Sequence, residues 1–113
     1  MSLLSFGPLA LEGDRCTVEV EVPEDVDYCE GHFEGNAILP GIAQLLPMVH
    51  DPVRAAWPDL GALTDVRRLK FKDAIRPGHR LLVTLSRSGE RVRFEITRGE
   101  TTCSTGSLSF EGT

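Results

Sequence analysis

The chain has 113 residues, of which 41% are hydrophobic and 26% charged, and its formal net charge is −5. These values predict a single globular domain over residues 1–113, with no apolar run near the ~18 residues that a membrane span requires. The acidic balance argues against general nucleic-acid binding, which needs a basic face. No basic start leads into an apolar signal core, so the expected location is cytoplasmic.

The beginning of the chain predicts an edge segment and then a half-buried strand. Residues 3–11 are apolar but broken by a Gly-Pro pair, which suits an edge strand or a segment lying across a sheet. In residues 16–22 three valines alternate with two glutamates, the period of a strand with one buried face. Pro23 ends this strand.

The middle of the chain predicts a tight loop that leads into a buried helix. His32 lies between two glycines, and Pro40 suits the first position of a helix whose following residues are largely apolar. Pro47 predicts a kink in that helix. Asp51 is predicted to cap a second, short helix with Pro52 at its first position.

The last half of the chain predicts a series of strands. A long strand is expected over residues 62–73, a turn over 76–79, and strands over 80–87, 91–98 and 101–110. One early strand, a central helix and several later strands indicate an α+β fold with a curved antiparallel sheet around the helix.

Charge is unevenly distributed along the sequence. Between Glu12 and Glu34 there are nine acidic residues and one base, whereas residues 66–80 contain six bases and one acid. The basic segment suits either the solvent face of a strand or a docking surface for an acidic partner. The candidate docking residues are Arg67, Arg68, Lys70 and Lys72.

The three cysteines are isolated and lack the spacing of a zinc site or a disulfide framework. No metal site is therefore predicted. Cys29 precedes His32 by three residues, so a Cys/His nucleophile and a small buried thiol are both open interpretations.

The run from His32 to Gly41 resembles a known family motif. The string His-Phe-x-Gly-Asn-x-Ile-Leu-Pro-Gly is similar to the HFPGxPxxPG signature of hot-dog fold 3-hydroxyacyl-acyl-carrier-protein dehydratases. The Gly-Ile-Ala-Gln-Leu that follows Pro40 is most similar to the aryl-polyene type of these enzymes. The match covers about fifteen residues without a gap, and the resemblance implies a single hot-dog domain.

One position departs from the family pattern. The family has a Glu or Asp six residues after the proline of Pro-Gly, and that position here is Leu46. The resemblance therefore implies a base at His32 and a carbonyl-binding backbone N–H at Gly41, without the family acid. It also implies that Phe33, Ile38 and Leu46 line the pocket.

Other residues near this motif have two interpretations each. His50 lies one turn after Leu46, so it either replaces the missing acid or is a helix-end histidine near backbone carbonyls. Gln44 either holds a water or hydroxyl or forms a hydrogen bond across a dimer. His32 itself is either functional or a structural residue that satisfies loop carbonyls.

Three functions are consistent with this motif and with the absence of the family acid. The first is a 3-hydroxyacyl-thioester dehydratase of fatty-acid or related acyl-chain biosynthesis, impaired by the missing acid. The second is a non-catalytic module that binds an acyl chain or an acyl carrier protein, and the third is a thioesterase that uses Glu30 or Glu34. The resemblance implies a homodimer and a substrate carried on the phosphopantetheine of acyl carrier protein or coenzyme A, with no resident cofactor.

Overall fold

The computed structural model describes residues 4–22, 49–76 and 78–111. These residues form one antiparallel sheet of seven strands and one short helix. The strands are β1 (Ser5–Phe6), β2 (Ala10–Glu12), β3 (Arg15–Glu21), β4 (Leu63–Phe71), β5 (Arg80–Ser88), β6 (Arg91–Arg98) and β7 (Thr101–Phe110). The helix is α1 (Asp51–Ala56). The expected α+β class is confirmed.

The strand order is β1-β3-β5-β6-β7-β4, and β2 also pairs with β3. The apolar start of the chain is thus an edge, as predicted, although it forms two short strands on either side of the Gly-Pro break. At the opposite edge β4 pairs with β7 alone among the described strands. The two strands that follow the helix in sequence, β4 and β5, are therefore far apart in the sheet.

One face of the sheet carries the hydrophobic core. Val18, Val83 and Ile96 are neighbours across β3, β5 and β6, and each is at most 2% exposed. The alternation predicted for residues 16–22 is confirmed, because Val18, Val20 and Val22 are buried while Glu19 and Glu21 are exposed. We call the core side of the sheet its inner face and the other side its outer face.

Two tight turns connect the last three strands. Gly89 and Gly99 adopt φ angles of 63° and 60°, in the left-handed region that glycine occupies without strain. The predicted hairpin around Ser88-Gly89-Glu90 is confirmed, and so is the turn at Gly99-Glu100. Strands β6 and β7 have the boundaries expected from the sequence.

The helix begins differently from the sequence prediction. His50, not Asp51, is at the N-cap position, and its dihedral angles are already helical at φ −62° and ψ −45°. Asp51 therefore lies in the first turn, where its carboxylate faces the positive end of the helix dipole rather than closing a cap. The prediction that Asp51 caps the helix was wrong, because the chain is helical before it reaches that residue.

An ion pair ties the loop after α1 to the end of β5. Arg87 donates from Nη1 and Nη2 to the two carboxylate oxygens of Asp59, at 3.0 and 2.8 Å. The hydrogen bond from Arg87 is the largest influence that lowers the pKa of Asp59. This bidentate ion pair holds the loop after the helix against the end of β5.

Strand β4 is less regular than its sequence predicts. Arg67 pairs with Ser107 and Lys70 with Thr105, so one extra residue of β4 is accommodated between them as a bulge. Arg68 has φ 56° within this bulge. The expected simple alternation of apolar and basic residues along this strand was therefore wrong at Arg68.

Candidate functional site

Five residues of the sequence-predicted site lie outside the described part of the chain: His32, Phe33, Ile38, Gly41 and Leu46. Gln44, Cys29 and the predicted kink at Pro47 also lie outside it. The structure does describe Val22 and Val49, the residues on either side of that segment. Both are fully buried in the core. The two described residues that flank the motif segment are therefore both core residues.

The end of β3 is held by the turn that precedes β5. The N–H of Val22 donates to the carbonyl of His79 at 2.9 Å, and the N–H of Gly78 donates to the carbonyl of Val22 at 2.6 Å. Gly78 has φ 88°, which a residue with a side chain rarely adopts. This turn therefore anchors the point from which the chain runs toward the motif.

The His79 ring closes the same turn. The backbone N–H of Arg76 donates to His79 Nδ1 at 3.0 Å, and the N–H of His79 donates to the carbonyl of Arg76 at 3.2 Å. Because Nδ1 accepts a hydrogen bond, the neutral ring carries its proton on Nε2. The predicted turn over residues 76–79 is confirmed for its described residues.

Arg98 connects this turn to β6. Its guanidinium donates to Asp73 Oδ2 at 2.7 Å and to the carbonyl of Ala74 at 3.2 Å, and lies 3.4 Å from His79 Nδ1. Burial, and then the positive charges of Arg98 and Arg76, lower the pKa of His79. Sequence reasoning missed this cluster, because Arg98 is separated from its partners by 19 to 25 residues and no motif joins them.

His50 packs against the end of the last strand. Its ring lies 6.2 Å from the ring of Phe110, and the two planes are inclined by 24°. Arg54 lies over the same Phe110 ring at 5.5 Å and donates to the carbonyl of Leu60. These contacts favour the structural interpretation of His50, since its ring packs on a buried core residue.

The basic residues predicted for docking do not form a single row. Arg67 and Lys70 lie on the outer face, whereas Arg68 occupies the bulge. Lys72 follows the strand, and its backbone N–H donates to the carbonyl of Cys103 at 2.7 Å. Arg67 is also bonded to the carboxylate of Asp65.

The inner face of β4 exposes apolar surface at the sheet edge. Leu69 and Phe71 are 39% and 51% exposed, although both face the same side as the buried residues of β7. Beside them the Ser104 hydroxyl is fully buried and has no hydrogen-bond partner in the described part of the chain. The sheet therefore exposes apolar side chains on β4 and, next to them on β7, buries a hydroxyl that has no hydrogen-bond partner among the described residues.

A shallow groove of about 560 Å³ lies on the outer face at the other edge of the sheet. Leu82 and Thr97 contribute to it, together with Glu21 and Arg80, which are ion-paired at 3.4 Å. None of its lining residues is a histidine or a cysteine. Its ionisable lining residues are Glu19, Glu21 and Arg80, and the last two are already paired with each other.

Cys16 and Cys103 are buried free thiols, and burial raises the pKa of each. They are therefore protonated and unreactive at neutral pH. The described residues contain no cluster of potential metal ligands. Across the same residues, no helix is long and apolar enough to cross a membrane.

This chain belongs to the ApeI-like family, because the family model described as ApeI dehydratase matches residues 9–107. The chain is 30% identical over 101 residues to the 3-hydroxyacyl-[acyl-carrier-protein] dehydratase FabZ of Macrococcus caseolyticus (strain JCSC5402). That match covers 84% of this chain and 68% of the relative. The dehydratase family expected from the motif is confirmed.

Solved structures confirm the hot-dog fold. The dehydratase heterocomplex ApeI:P from Xenorhabdus doucetiae matches with a TM-score of 0.77 and 20% identity, over 86% of this chain and 87% of that one. Thioesterase superfamily member 2 from Mus musculus matches with a TM-score of 0.64 and 16% identity, over 91% and 85%. Both enzyme classes share this fold, so the fold alone does not assign the reaction.

Proposed function

We propose that this chain is a 3-hydroxyacyl-thioester dehydratase of fatty-acid or related acyl-chain synthesis, slowed by the absence of the family acid. The family match over residues 9–107 supports it most directly. The ungapped motif from His32 to Gly41 lies within the matched range. The proposed substrate is carried on acyl carrier protein or coenzyme A, without a resident cofactor, in the cytoplasm.

The proposed reaction removes water across C2 and C3 of the acyl chain. His32 takes the C2 proton, which the thioester carbonyl makes acidic, and an imidazole suits this task near neutral pH. The N–H of Gly41 binds the carbonyl oxygen as negative charge develops on it. The C3 hydroxyl then leaves with a proton as water, and the C2–C3 double bond forms.

The leaving hydroxyl lacks the carboxyl group that would protonate it in the family. Leu46 occupies that position and has no proton to donate. Loss of a general acid typically costs about 10²–10⁴ in rate. The proposed enzyme is therefore slow unless a water or another side chain delivers the proton.

The main alternative is a non-catalytic module that binds an acyl chain or an acyl carrier protein. Leu46 favours it, because an apolar residue at the acid position preserves a binding pocket while removing a catalytic group. The exposed cations Arg67 and Lys70 also favour it, since they offer a surface to an acidic carrier. A thioesterase ranks third, as no carboxylate occupies the expected helix position.

Hydration of a crotonyl or trans-2-decenoyl thioester tests the reaction directly, because the equilibrium can be followed from either side. We expect measurable turnover in the parent and its loss in His32→Ala. His50→Ala is the matched control, and its activity should stay close to that of the parent because His50 packs on Phe110. A parent without activity at high enzyme concentration would favour the binding module.

We also propose a homodimer that forms through the edge of β4 that faces away from β7, where no other described strand pairs. Leu69 and Phe71 are the apolar residues left exposed there, and an exposed edge strand is a common site of pairing. Phe71→Asp should shift the molecule from dimer to monomer in sedimentation velocity. Leu82→Asp is the control, since Leu82 is 40% exposed but lies on an interior strand. A monomeric parent would contradict this part of the proposal.

A further inference from the structure

The end of β3 and the 76–79 turn are joined by two backbone hydrogen bonds. The N–H of Val22 donates to the carbonyl of His79 at 2.9 Å, and the carbonyl of Val22 accepts from the N–H of Gly78 at 2.6 Å. Val22 is fully buried, so both of its backbone polar groups need a partner within the protein. The turn supplies both partners.

The turn is itself closed through one nitrogen of a side chain. His79 Nδ1 accepts a hydrogen bond from the backbone N–H of Arg76 at 3.0 Å, and Arg98 Nη1 lies 3.4 Å from the same nitrogen. Both neighbours are donors, so the contact needs a lone pair on Nδ1. The neutral ring with its proton on Nε2 has that lone pair, and the protonated ring does not. Protonation of His79 therefore removes the acceptor that closes the turn.

Protonation also places a positive charge beside two others. Burial, and then the charges of Arg98 and Arg76, lower the pKa of His79, while the charge of Asp73 opposes them. Asp73 already has partners, because its Oδ2 accepts from Arg98 at 2.7 Å and its Oδ1 from the N–H of Ala74 at 3.1 Å. A charged His79 ring thus gains no carboxylate without breaking the Asp73 contacts.

The charged groups that β3 and β5 bring to this end of the sheet balance each other. Glu21 is the last residue of β3 and precedes Val22, and Arg80 is the first residue of β5 and follows His79. Their Oε2 and Nε atoms are 3.4 Å apart. Among the described residues, Asp73 is the one carboxylate whose charge raises the pKa of His79. The balance around the ring is therefore set by Arg98, Arg76 and Asp73.

We propose that His79 makes the 76–79 turn a pH-dependent switch: protonation of Nδ1 opens the turn and releases Val22, while β3 stays paired with β5. The opening is local because the register between β3 and β5 runs from one end of β3 to the other without passing through the turn. Val22 is the last described residue before the segment that carries the motif. The switch therefore acts where that segment begins.

This inference does not rest on the proposed reaction. It concerns backbone hydrogen bonds of the described residues, and its measurement needs no substrate. Opening of the turn in a chain that does not dehydrate thioesters supports the switch alone. Turnover of thioesters in a chain whose turn stays closed supports the reaction alone.

Amide hydrogen exchange, followed by NMR at pH 7.0 and pH 5.0, measures the opening. Protection factors, which divide out the intrinsic pH dependence of exchange, should fall at Val22 and Gly78 by about threefold to thirtyfold. The upper limit follows because uptake of one proton below pH 6.5 changes an equilibrium by at most about tenfold per pH unit. Unchanged protection at both amides would overturn the proposal, since Asp73 or another group would then have satisfied the charged ring.

An internal control lies at the opposite end of the same two strands. The N–H of Arg87, on β5, donates to the carbonyl of Asp14 at 2.7 Å, just before β3 begins. This amide should exchange through local opening at its own end of the sheet, and its protection should change by less than about twofold. An equal fall at Arg87 and Val22 would mean that the whole fold loosens, and would also overturn the proposal.

Two substitutions of His79 separate the charge of the ring from its role as an acceptor. His79→Asn offers Oδ1 near the position of Nδ1 and does not titrate near neutral pH, so protection at Val22 should stay within about twofold of the parent at pH 7.0 and should not fall at pH 5.0. His79→Leu has no acceptor, so Val22 should be poorly protected at both pH values. His50→Asn is the matched control and should keep the full pH dependence of the parent.

The tautomer of the ring is a second measurement on the unmodified chain. Two-bond nitrogen–proton NMR spectra at pH 7.5 should show His79 with its proton on Nε2, because Nδ1 accepts the hydrogen bond from Arg76. A proton on Nδ1 would contradict the closed turn from which the switch is inferred. A pH-dependent fall of Val22 protection in His79→Asn would likewise overturn the proposal, because another group would then control the turn.

Discussion

Replacement by alanine should have opposite effects on stability at two positions on the inner face of β7. Gly106 lies under the ring of its neighbour on β6, Phe94. A Cβ built at Gly106 collides with Phe94 Cε2, lies 2.8 Å from Phe94 Cζ and 3.2 Å from Leu69 Cδ1. Two residues earlier, Ser104 is fully buried and its hydroxyl has no partner among the described residues.

Gly106→Ala should destabilise the fold. Overpacking of a well-filled core typically costs about 1–3 kcal/mol. Replacement of glycine by alanine stabilises by about 0.4–1 kcal/mol through the unfolded chain, so the expected net loss is about 1–2 kcal/mol. At roughly 4 °C per kcal/mol, the unfolding midpoint should fall by about 4–8 °C.

Ser104→Ala should be neutral or stabilising. An unsatisfied buried hydroxyl costs about 1–3 kcal/mol, and alanine removes it while leaving only a small void. The expected gain is about 0–1 kcal/mol after that void is counted. Ser107→Ala, on the outer face of the same strand, is the control and should change stability by less than about 0.5 kcal/mol.

Urea denaturation of the three variants measures these differences on one scale. Gly106→Ala with parental stability would show that the Phe94 ring moves aside at no cost. Ser104→Ala with a loss above about 1 kcal/mol would show that the hydroxyl makes a hydrogen bond. Either result would refute the packing described here for the inner face of β7.

Three further predictions follow from the described contacts. The pKa of His79 is lowered from 6.5 in the folded state, so the stability that its neutral ring contributes is present above pH 6.5 and is lost as the pH falls below that value. His79→Gln should therefore flatten the decline of the urea midpoint between pH 7 and 5. Phe110→Ala should cost about 3–4 kcal/mol in urea denaturation because Phe110 is 3% exposed, whereas Leu82→Ala should cost less than about 1 kcal/mol. Arg87→Gln should lower the unfolding midpoint more than Asp59→Asn, because Arg87 Nε also donates to the carbonyl of Gly89, and the double variant should match Arg87→Gln; additive losses in a double-mutant cycle would contradict this.

Local patterns in the sequence were sufficient for most of the sheet. The valines of β3 identified a half-buried strand because side chains alternate between the two faces. The glycines at 89 and 99 identified turns because those positions need a positive φ. The family was also predictable, since the motif from His32 to Gly41 has a fixed spacing that is rare by chance.

Features that depend on distant contacts were not predictable. The bulge at Arg68 arises from the pairing of β4 with β7, and nothing in the local sequence marks it. Arg98 lies on β6 and stabilises the segment that leads into the 76–79 turn. It bonds Asp73 and Ala74 only because the folded sheet brings these distant segments together.

The most direct test of the proposed dehydratase is restoration of the missing acid. Leu46→Glu should raise the rate of enoyl-thioester hydration by about 10²–10⁴ over the parent, whereas Leu46→Gln, of similar size and without a proton to donate, should not. The gain should vanish when His32→Ala is added to Leu46→Glu. A folded Leu46→Glu variant with no gain in rate would contradict the assignment of His32 and position 46 to the two halves of a dehydratase site.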